Sequence, residues 1–429
     1  MQIRSSLARD ARGRIKRASI TDTAPETADE AAAPARPVGS IAGATIDRTQ
    51  PRPAPERFPS PDPLFAGCPS LFLQTSCGSK LAPAAAVVAK EETGLLLTLG
   101  SGAKDRARVL RQSVTQCRTI MANAAPERAV ALPVLADSNR YSGTNRAIAT
   151  ASGPNLDPAW IAVQRGLGLP VALTDSPYVP AGEHAALATL LREARGLGEG
   201  VVAVLPLHLD WLKKDVTSLT TAINQAGVPV ALVLEHSDDP FGVQDAVAGL
   251  VRLLQNAQVK VALLRSDISV IGAVAFGATF GAIGTTTGLR HLYPTKEKNG
   301  GFNRGARIGA YMPRGIVYRA LDTLNTAIAL DPDNQERWNC ACERCYGRPL
   351  SRIHDEIAAY EHSLAAIADL AEEVLVAPSA LHRQHAWIGR CSLAQVTNLE
   401  IAAETGLNWA TPKFQGAWHK LGASLPPLP

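Results

Sequence analysis

Three cysteines stand within six positions late in this chain, Cys340, Cys342 and Cys345 in "NCACERCYGR" (339–348), whereas Cys68, Cys77, Cys117 and Cys391 are scattered. An odd total of seven, three of them clustered, does not make a disulfide framework; in a reducing compartment such a cluster more often binds metal. Cys-x-Cys-x-x-Cys supplies three thiolates from one tight turn, and tetrahedral zinc requires a fourth ligand, typically a histidine on a following helix. His354, His362, His382 and His385 are the candidates. The segment "SRIHDEIAAYEHSLAAIADLAEEVL" has helical periodicity with His362 near its middle, so His362 is the expected ligand and His354 the alternative. Three thiolates and one imidazole close the coordination sphere, which makes the expected zinc structural rather than catalytic. Reduced free thiols and an iron–sulfur cluster are the rival readings; for the latter, Cys391 is distant and lies in no motif.

A second set of chemistry-bearing residues closes short apolar runs. "SLFLQTSCG", "GLLLTLGSG", "ALPVLADSN", "LPVALTDSP", "GVVAVLPLHLD", "VPVALVLEHSDD", "VKVALLRSD" and "FGAIGTTTG" are continuously apolar and rich in β-formers, as parallel strands buried on both faces require. Between them lie segments of helical spacing such as "GEHAALATLLREARGLG" and "VTSLTTAINQAG", each ending on a glycine where a C-cap belongs. Eight such units predict an α/β chain folded as a (β/α)8 TIM barrel, in preference to an open doubly wound sheet. Barrel chemistry sits at the C-terminal strand ends, which here carry Cys77, Ser101, Asp137, Asp175, His208, Glu235, His236, Asp267 and Thr285 to Thr287. His208, Glu235, His236, Asp238 and Asp239 are also of types that bind a divalent metal, or else are solvated loop ends.

The 429 residues, 46% hydrophobic and 19% charged, suffice for a large domain with an appendage. Residues 1–60, rich in Ala, Pro and Arg, read as a disordered tail, residues 61–325 as the barrel, 326–395 as a zinc-binding helical subdomain and 396–429 as a C-terminal tail. Arg4, Arg9, Arg12, Arg14, Lys16 and Arg17 make the first tail a basic arm, a transit-like segment or simply a soluble extension. Trp409 and Trp418 in the last tail look exposed, ready to dock on a partner or to fold back on the barrel. No apolar run approaches the roughly 20 residues that span a bilayer, and no apolar signal core opens the chain, so a cytoplasmic protein with no membrane partner is expected. The net charge of +4 permits a polyanionic partner without requiring one. Residues 287–315 interleave Arg290, Lys296, Lys298, Arg304, Arg307 and Arg314 with aromatics, either a track for a phosphate backbone or a solvated connection.

A barrel followed by Cys-x-Cys-x-x-Cys and a helical histidine resembles the tRNA-guanine transglycosylase family, which exchanges guanine in nucleic acid for a 7-deazaguanine base. "LADSNRYSG", with Asp137 and Ser138, looks like that family's Asp-Ser-Gly-Gly segment, and "ALTDSPYVP", with Asp175, looks like its Asp-Glu-Cys segment. The likeness runs from about residue 61 to 381. It implies that Asp137 handles a proton beneath the base while Asp175 grips the guanine-like edge, a carboxylate accepting side by side from a ring N–H and an exocyclic amine. It also implies a purine-type base as ligand, tRNA or DNA as partner, and a homodimer or heterodimer through the zinc region. Ser138, His208, Glu235, His236 and Thr285 would line the same pocket. An ordinary barrel would use Asp137 and Asp175 as helix N-caps instead.

Departures from the pattern are equally specific. The family's nucleophilic aspartate ends the eighth strand; here the matching "AIGTTTGLRH" holds Gly284. The glutamine after strand five is absent from "VLPLHLDW", and the Gly-Gly turn after strand six is replaced by "LEHSDDPFG". Asp267, at the end of the seventh strand, either supplies the missing carboxylate or caps the following helix. Paired with Asp137 it could also hydrolyse an N-glycosidic bond through an oxocarbenium-like state. Three functions follow: a transglycosylase-like enzyme, a non-catalytic base- or nucleic-acid-binding partner subunit, and a nucleoside hydrolase.

Overall fold

The computed structural model describes residues 70–91, 93–126, 132–295 and 308–428. The N-terminal tail, Cys68, Lys296, Lys298, Arg304 and Arg307 lie outside the described residues.

Each apolar run becomes a strand: β1 (Leu71–Ser76), β2 (Gly94–Thr98), β3 (Val134–Asp137), β4 (Ala172–Leu173), β5 (Val201–His208), β6 (Val230–Glu235), β7 (Val261–Ser266) and β8 (Gly281–Gly284). All pair in parallel in the order β3-β2-β1-β8-β7-β6-β5-β4, a nearly closed (β/α)8 barrel whose ladder is interrupted between β3 and β4. Side chains alternate across each strand: Phe72, Leu96, Leu135, Val204, Val233 and Leu264 belong to one buried cluster filling the barrel, while Leu73, Leu95 and Leu97 pack in a second with the residues of the surrounding helices. Phe72 fits because β2 opens on Gly94; a Cβ there would lie 2.3 Å from the Phe72 ring.

The helices of the barrel are α1 (Leu81–Glu91), α2 (Arg106–Ala124), α3 (Pro158–Gly166), α4 (His184–Gly196), α5 (Asp210–Lys213), α6 (Val216–Ala226), α7 (Gln244–Asn256) and α8 (Val270–Ala275). Asp105 caps α2 by accepting from the Arg108 amide, and Asp157 caps α3 by accepting from the Ala159 amide. Gly227 ends α6 in the left-handed conformation, φ 65°.

Beyond β8 the chain forms an antiparallel hairpin of β9 (Gly309–Met312) and β10 (Val317–Ala320), then α9 (Leu321–Leu330), the cysteine turn, α10 (Glu356–Leu375), α11 (Ala380–Thr405) and α12 (Lys413–Gly422). The boundaries expected at 325/326 and 395/396 both fall inside helices, α9 and α11. α10 packs on α1, α8 and β9, α11 on α8, and α12 on α7. Trp409 and Trp418, exposed in the sequence reading, are buried: Trp418 packs against Phe276 at 5.3 Å and Trp387 at 6.1 Å, and Trp409 against Trp338 at 5.9 Å between ring centroids. The spacing of Phe414, Ala417 and Trp418 explains this for Trp418, one face of α12 turned to the barrel, while Trp409, before that helix, donates to Asn398 at 2.7 Å. Among the described residues, no helix is long and apolar enough to cross a membrane.

Candidate functional site at the barrel mouth and the cysteine turn

Asp137 ends β3 and is wholly buried. One carboxylate oxygen accepts from the Tyr141 hydroxyl at 2.6 Å and from Gln74 Nε2 at 3.2 Å; the other accepts from the Asn139 amide at 2.9 Å. Burial raises its pKa, opposed by these hydrogen bonds and by the nearby Arg265 cation. Ser138 beside it is buried with its hydroxyl unpaired. Asn139 adopts the left-handed conformation, φ 57°, which turns its side chain back to the Leu99 carbonyl at 2.9 Å.

Asp175, after β4, is likewise buried, and it receives charge from two directions. Its Oδ2 accepts from Arg140 Nη1 at 2.7 Å and Arg106 Nη1 at 3.1 Å, and its Oδ1 from the Asp157 amide at 2.9 Å. A guanidinium offers the same kind of paired N–H donors as a guanine edge, and two of them already occupy this carboxylate. Neither aspartate caps a helix; Asp157 performs that task for α3. Glu235, at the end of β6, is held by Arg146 and the Tyr178 hydroxyl, with the Arg146 guanidinium 3.6 Å above the Tyr178 ring. The long loop after β3 thus lies across the mouth, tied down through Arg140 and Arg146.

A residue the sequence reading passed over completes the plug. Arg265, interrupting the apolar run of β7, is buried with φ 49°. It donates to Asn139 Oδ1 at 2.6 Å, the Gly288 carbonyl at 2.7 Å and the His291 carbonyl at 3.2 Å. A lone basic residue inside a buried strand was the available signal, because burial of a charge demands partners.

The segment after β8 folds back over Gly284. It makes a single 3-10 turn, Thr287–Leu289, then returns over the mouth so that the Leu292 amide donates to the Leu234 carbonyl at 3.1 Å and the His236 amide to the Leu292 carbonyl at 2.9 Å. A Cβ on Gly284 would lie 2.2 Å from the Leu289 carbonyl. No aspartate fits there without moving that turn. Thr285 is buried.

Asp267 sits at the rim, half-buried, accepting from the Ile268 amide at 2.9 Å at the start of the turn that leads into α8. Its acidic neighbour is Asp239, whose pKa burial and the Asp267 charge push up; Asp137 takes its hydrogen bonds elsewhere. His291 is buried with both ring nitrogens unpaired, and burial lowers its pKa. His208 accepts from the Asp210 amide at 3.1 Å and His236 from the Asp238 amide at 3.3 Å, so both serve their own loops. These groups and Glu235 do not converge as metal ligands; among the described residues the converging set is in the cysteine turn.

There the ligand atoms of Cys340, Cys342, Cys345 and His362 lie within 4.8 Å of one another, all buried. The turn is tied by amide donation from Cys345 and Tyr346 to the Cys342 carbonyl, each at 2.9 Å, and passes through left-handed Tyr346 and Gly347. His362, on α10, directs Nδ1 at Cys345 Sγ, 3.1 Å away, while its Nε2 bonds the Tyr311 carbonyl of β9 at 2.7 Å. That leaves Nδ1 as the nitrogen facing the sulfurs. Hydrogen bonding among the sulfurs drives the Cys340 thiol up and the Cys345 thiol down, and against burial Cys342 and Cys345 raise the His362 imidazole to about 10. Sulfurs about 3.8 Å apart surround a tetrahedral zinc, so these residues fit the ion. His354 is exposed, and His382 and His385 lie on α11 with partners of their own, the Ser379 hydroxyl and the Pro426 carbonyl.

No family model and no curated protein matches the chain. Among solved structures it is similar to a thiamine phosphate pyrophosphorylase from Pyrococcus furiosus, with 8% identity, a TM-score of 0.30 and coverage of 52% of this chain and 90% of that one. It is also similar to the YdjI aldolase from Escherichia coli K12, with 12% identity, a TM-score of 0.34 and coverage of 73% and 92%. The spore coat polysaccharide biosynthesis protein SpsE from Bacillus subtilis shows 11% identity, a TM-score of 0.28 and coverage of 52% and 63%.

Proposed function

We propose that this protein is a zinc-braced barrel of the tRNA-guanine transglycosylase type that serves as a non-catalytic, nucleic-acid-binding partner subunit in handling a guanine-type or deazaguanine base. The observation that carries this reading is the Leu289 backbone packed on Gly284: the covalent route needs a carboxylate where the chain has no room for a side chain. The mouth supports it, since Asp137 and Asp175 already have protein donors. Cys340, Cys342, Cys345 and His362 would hold the zinc, which supplies countercharge and fixes the cysteine turn to α10 and β9. A cytoplasmic setting and pairing with a second subunit through the zinc region complete the proposal.

The test offers radiolabelled guanine to the purified protein with bulk tRNA and with duplex DNA. We expect nucleic acid to bind and no label to be incorporated. Incorporation abolished by Asp137→Asn or Asp175→Asn would restore the enzymatic reading and remove this one.

Asp239 and Asp267 favour a second reading, because neighbouring carboxyls, one of them with its pKa pushed up by burial and by the other, are the arrangement of acid–base glycosidic hydrolysis. Release of free base from nucleosides, lost in both Asp239→Asn and Asp267→Asn, would establish it; retention of release in either variant would exclude it.

A further inference from the structure

Helix α2 carries no acidic residue from Arg106 to Ala124, and it buries Leu110, Val114, Cys117 and Met121 against the barrel. Its outward face therefore presents Arg108, Arg111, Thr115 and Arg118, spaced by three, four and three residues along one stripe, all exposed. The barrel topology places the N-terminal end of α2 at the mouth and its C-terminal end at the opposite rim, so the stripe runs from the mouth down the outer wall. Alongside lies a cleft of about 310 Å³ between α2 and α3, lined by Arg111, Ala162, Val163, Gly166 and Leu167. α3 also lacks acidic side chains and brings Arg165 to the same wall.

The existing contacts of these arginines leave their charge available. Arg108 makes an exposed pair with Asp105 at 3.3 Å, Arg118 touches the Gly168 carbonyl at 3.4 Å, and Arg165 donates to the carbonyls of Leu197 and Glu199. Carbonyls do not neutralise, and an exposed pair yields readily to a polyanion. Residues 104–118 hold five basic side chains against one acidic, whereas residues 331–375, the zinc region, hold four basic against ten acidic. Charge therefore directs a polyanion to the α2 wall and away from the zinc face.

We infer that the α2–α3 wall is a nucleic-acid docking surface, with the arginine stripe following a phosphate backbone into the barrel mouth. From Arg108 to Arg118 a helix rises about 15 Å, which matches about four phosphates of one strand. The inference deepens the preceding reading and rests on it for the class of partner.

The experiment measures binding of fluorescent tRNA and of duplex DNA across a salt series, for the wild type, for Arg111→Glu/Arg118→Glu, and for Lys413→Glu/Lys420→Glu on α12 as a matched charge control. The α2 variant should bind at least tenfold more weakly at low salt and lose about 1.5 from the slope of log K against log salt, with the control close to wild type. Equal losses in both variants, or none in the α2 variant, would overturn the surface while leaving a nucleic-acid partner standing. Absence of all binding by the wild type would instead remove the partner reading itself. Capture of phosphatidylserine vesicles by the wild type and not the α2 variant, without nucleic-acid binding, would give the wall to another partner. Circular dichroism on each variant separates lost binding from lost fold.

Discussion

The barrel mouth and the cysteine turn are both dense with polar donors and acceptors, yet they differ in kind. At the mouth, carboxylates meet guanidinia: Asp175 with Arg106 and Arg140, Glu235 with Arg146, and Asp137 near Arg265. In the cysteine turn, three thiols and an imidazole meet each other, their ligand atoms within 4.8 Å of one another. The first arrangement pairs opposite charges within the chain, while the second gathers the donor types that suit a metal ion. For a buried constellation, the types of its donor atoms therefore say more about bound ligands than how many reactive groups it contains.

The largest effect should come from breaking the like-donor cluster. Cys345→Ser should lose most bound zinc in elemental analysis and lower Tm by about 10 °C or more, because metal affinity there is folding free energy. Chelator treatment of the wild type should reproduce the fall, and a wild type with less than about half an equivalent of zinc when freshly purified would show the contrast to be false.

Next comes Gly284→Asp, which places a carboxylate side chain where the Leu289 backbone stands. It should destabilise by about 3 kcal/mol or more in chemical denaturation and fail to create base exchange. A well-folded variant with exchange activity would mean that the 3-10 turn moves aside and that the mouth is a working pocket.

At the mouth, Asp175→Asn should cost about 1–3 kcal/mol, since it leaves two guanidinia without their shared counterion, and both are partly screened by solvent. A neutral or stabilising result would show that the carboxylate is held ready for a ligand at the expense of the fold.

The smallest effect concerns pH. The raised pKa of Asp239 means that the folded state keeps its proton to higher pH than the unfolded state does. Its contribution therefore turns unfavourable as pH rises from the ordinary carboxylate range into the raised one. Wild-type Tm should fall across that interval, and Asp239→Asn should reduce the fall by about 1–3 °C. Parallel profiles for both proteins would show that Asp239 ionises normally.

How much of this could be read in advance depended on how far apart in the chain the partners lie. The eight strands were legible because burial on both faces demands unbroken apolar runs, and each run ends where its strand does to within a few residues. His362 was legible because a ligand on the helix after a Cys-x-Cys-x-x-Cys turn is a local arrangement. The partners of Asp175 were not: Arg106 stands 69 residues before it and Arg140 35 residues before it, in segments whose own spacing gives no hint of the meeting. The fate of Trp409 and Trp418 was hidden for a related reason. A helix of moderate amphipathicity reads the same whether its apolar face meets a partner or its own barrel, and only the placement of α7 and α8 beneath α12 and α11 chose the latter.

The sequence by itself determined the barrel, its eight strands and the residues of the metal-type turn, because these rest on periodicity and spacing within one element or its neighbour. Tertiary structure alone decided that the strand-end acids face arginines instead of an open pocket and that Gly284 lies under a returning turn. Such pairings join segments brought together only when the barrel closes, and no local pattern records which charge will find which.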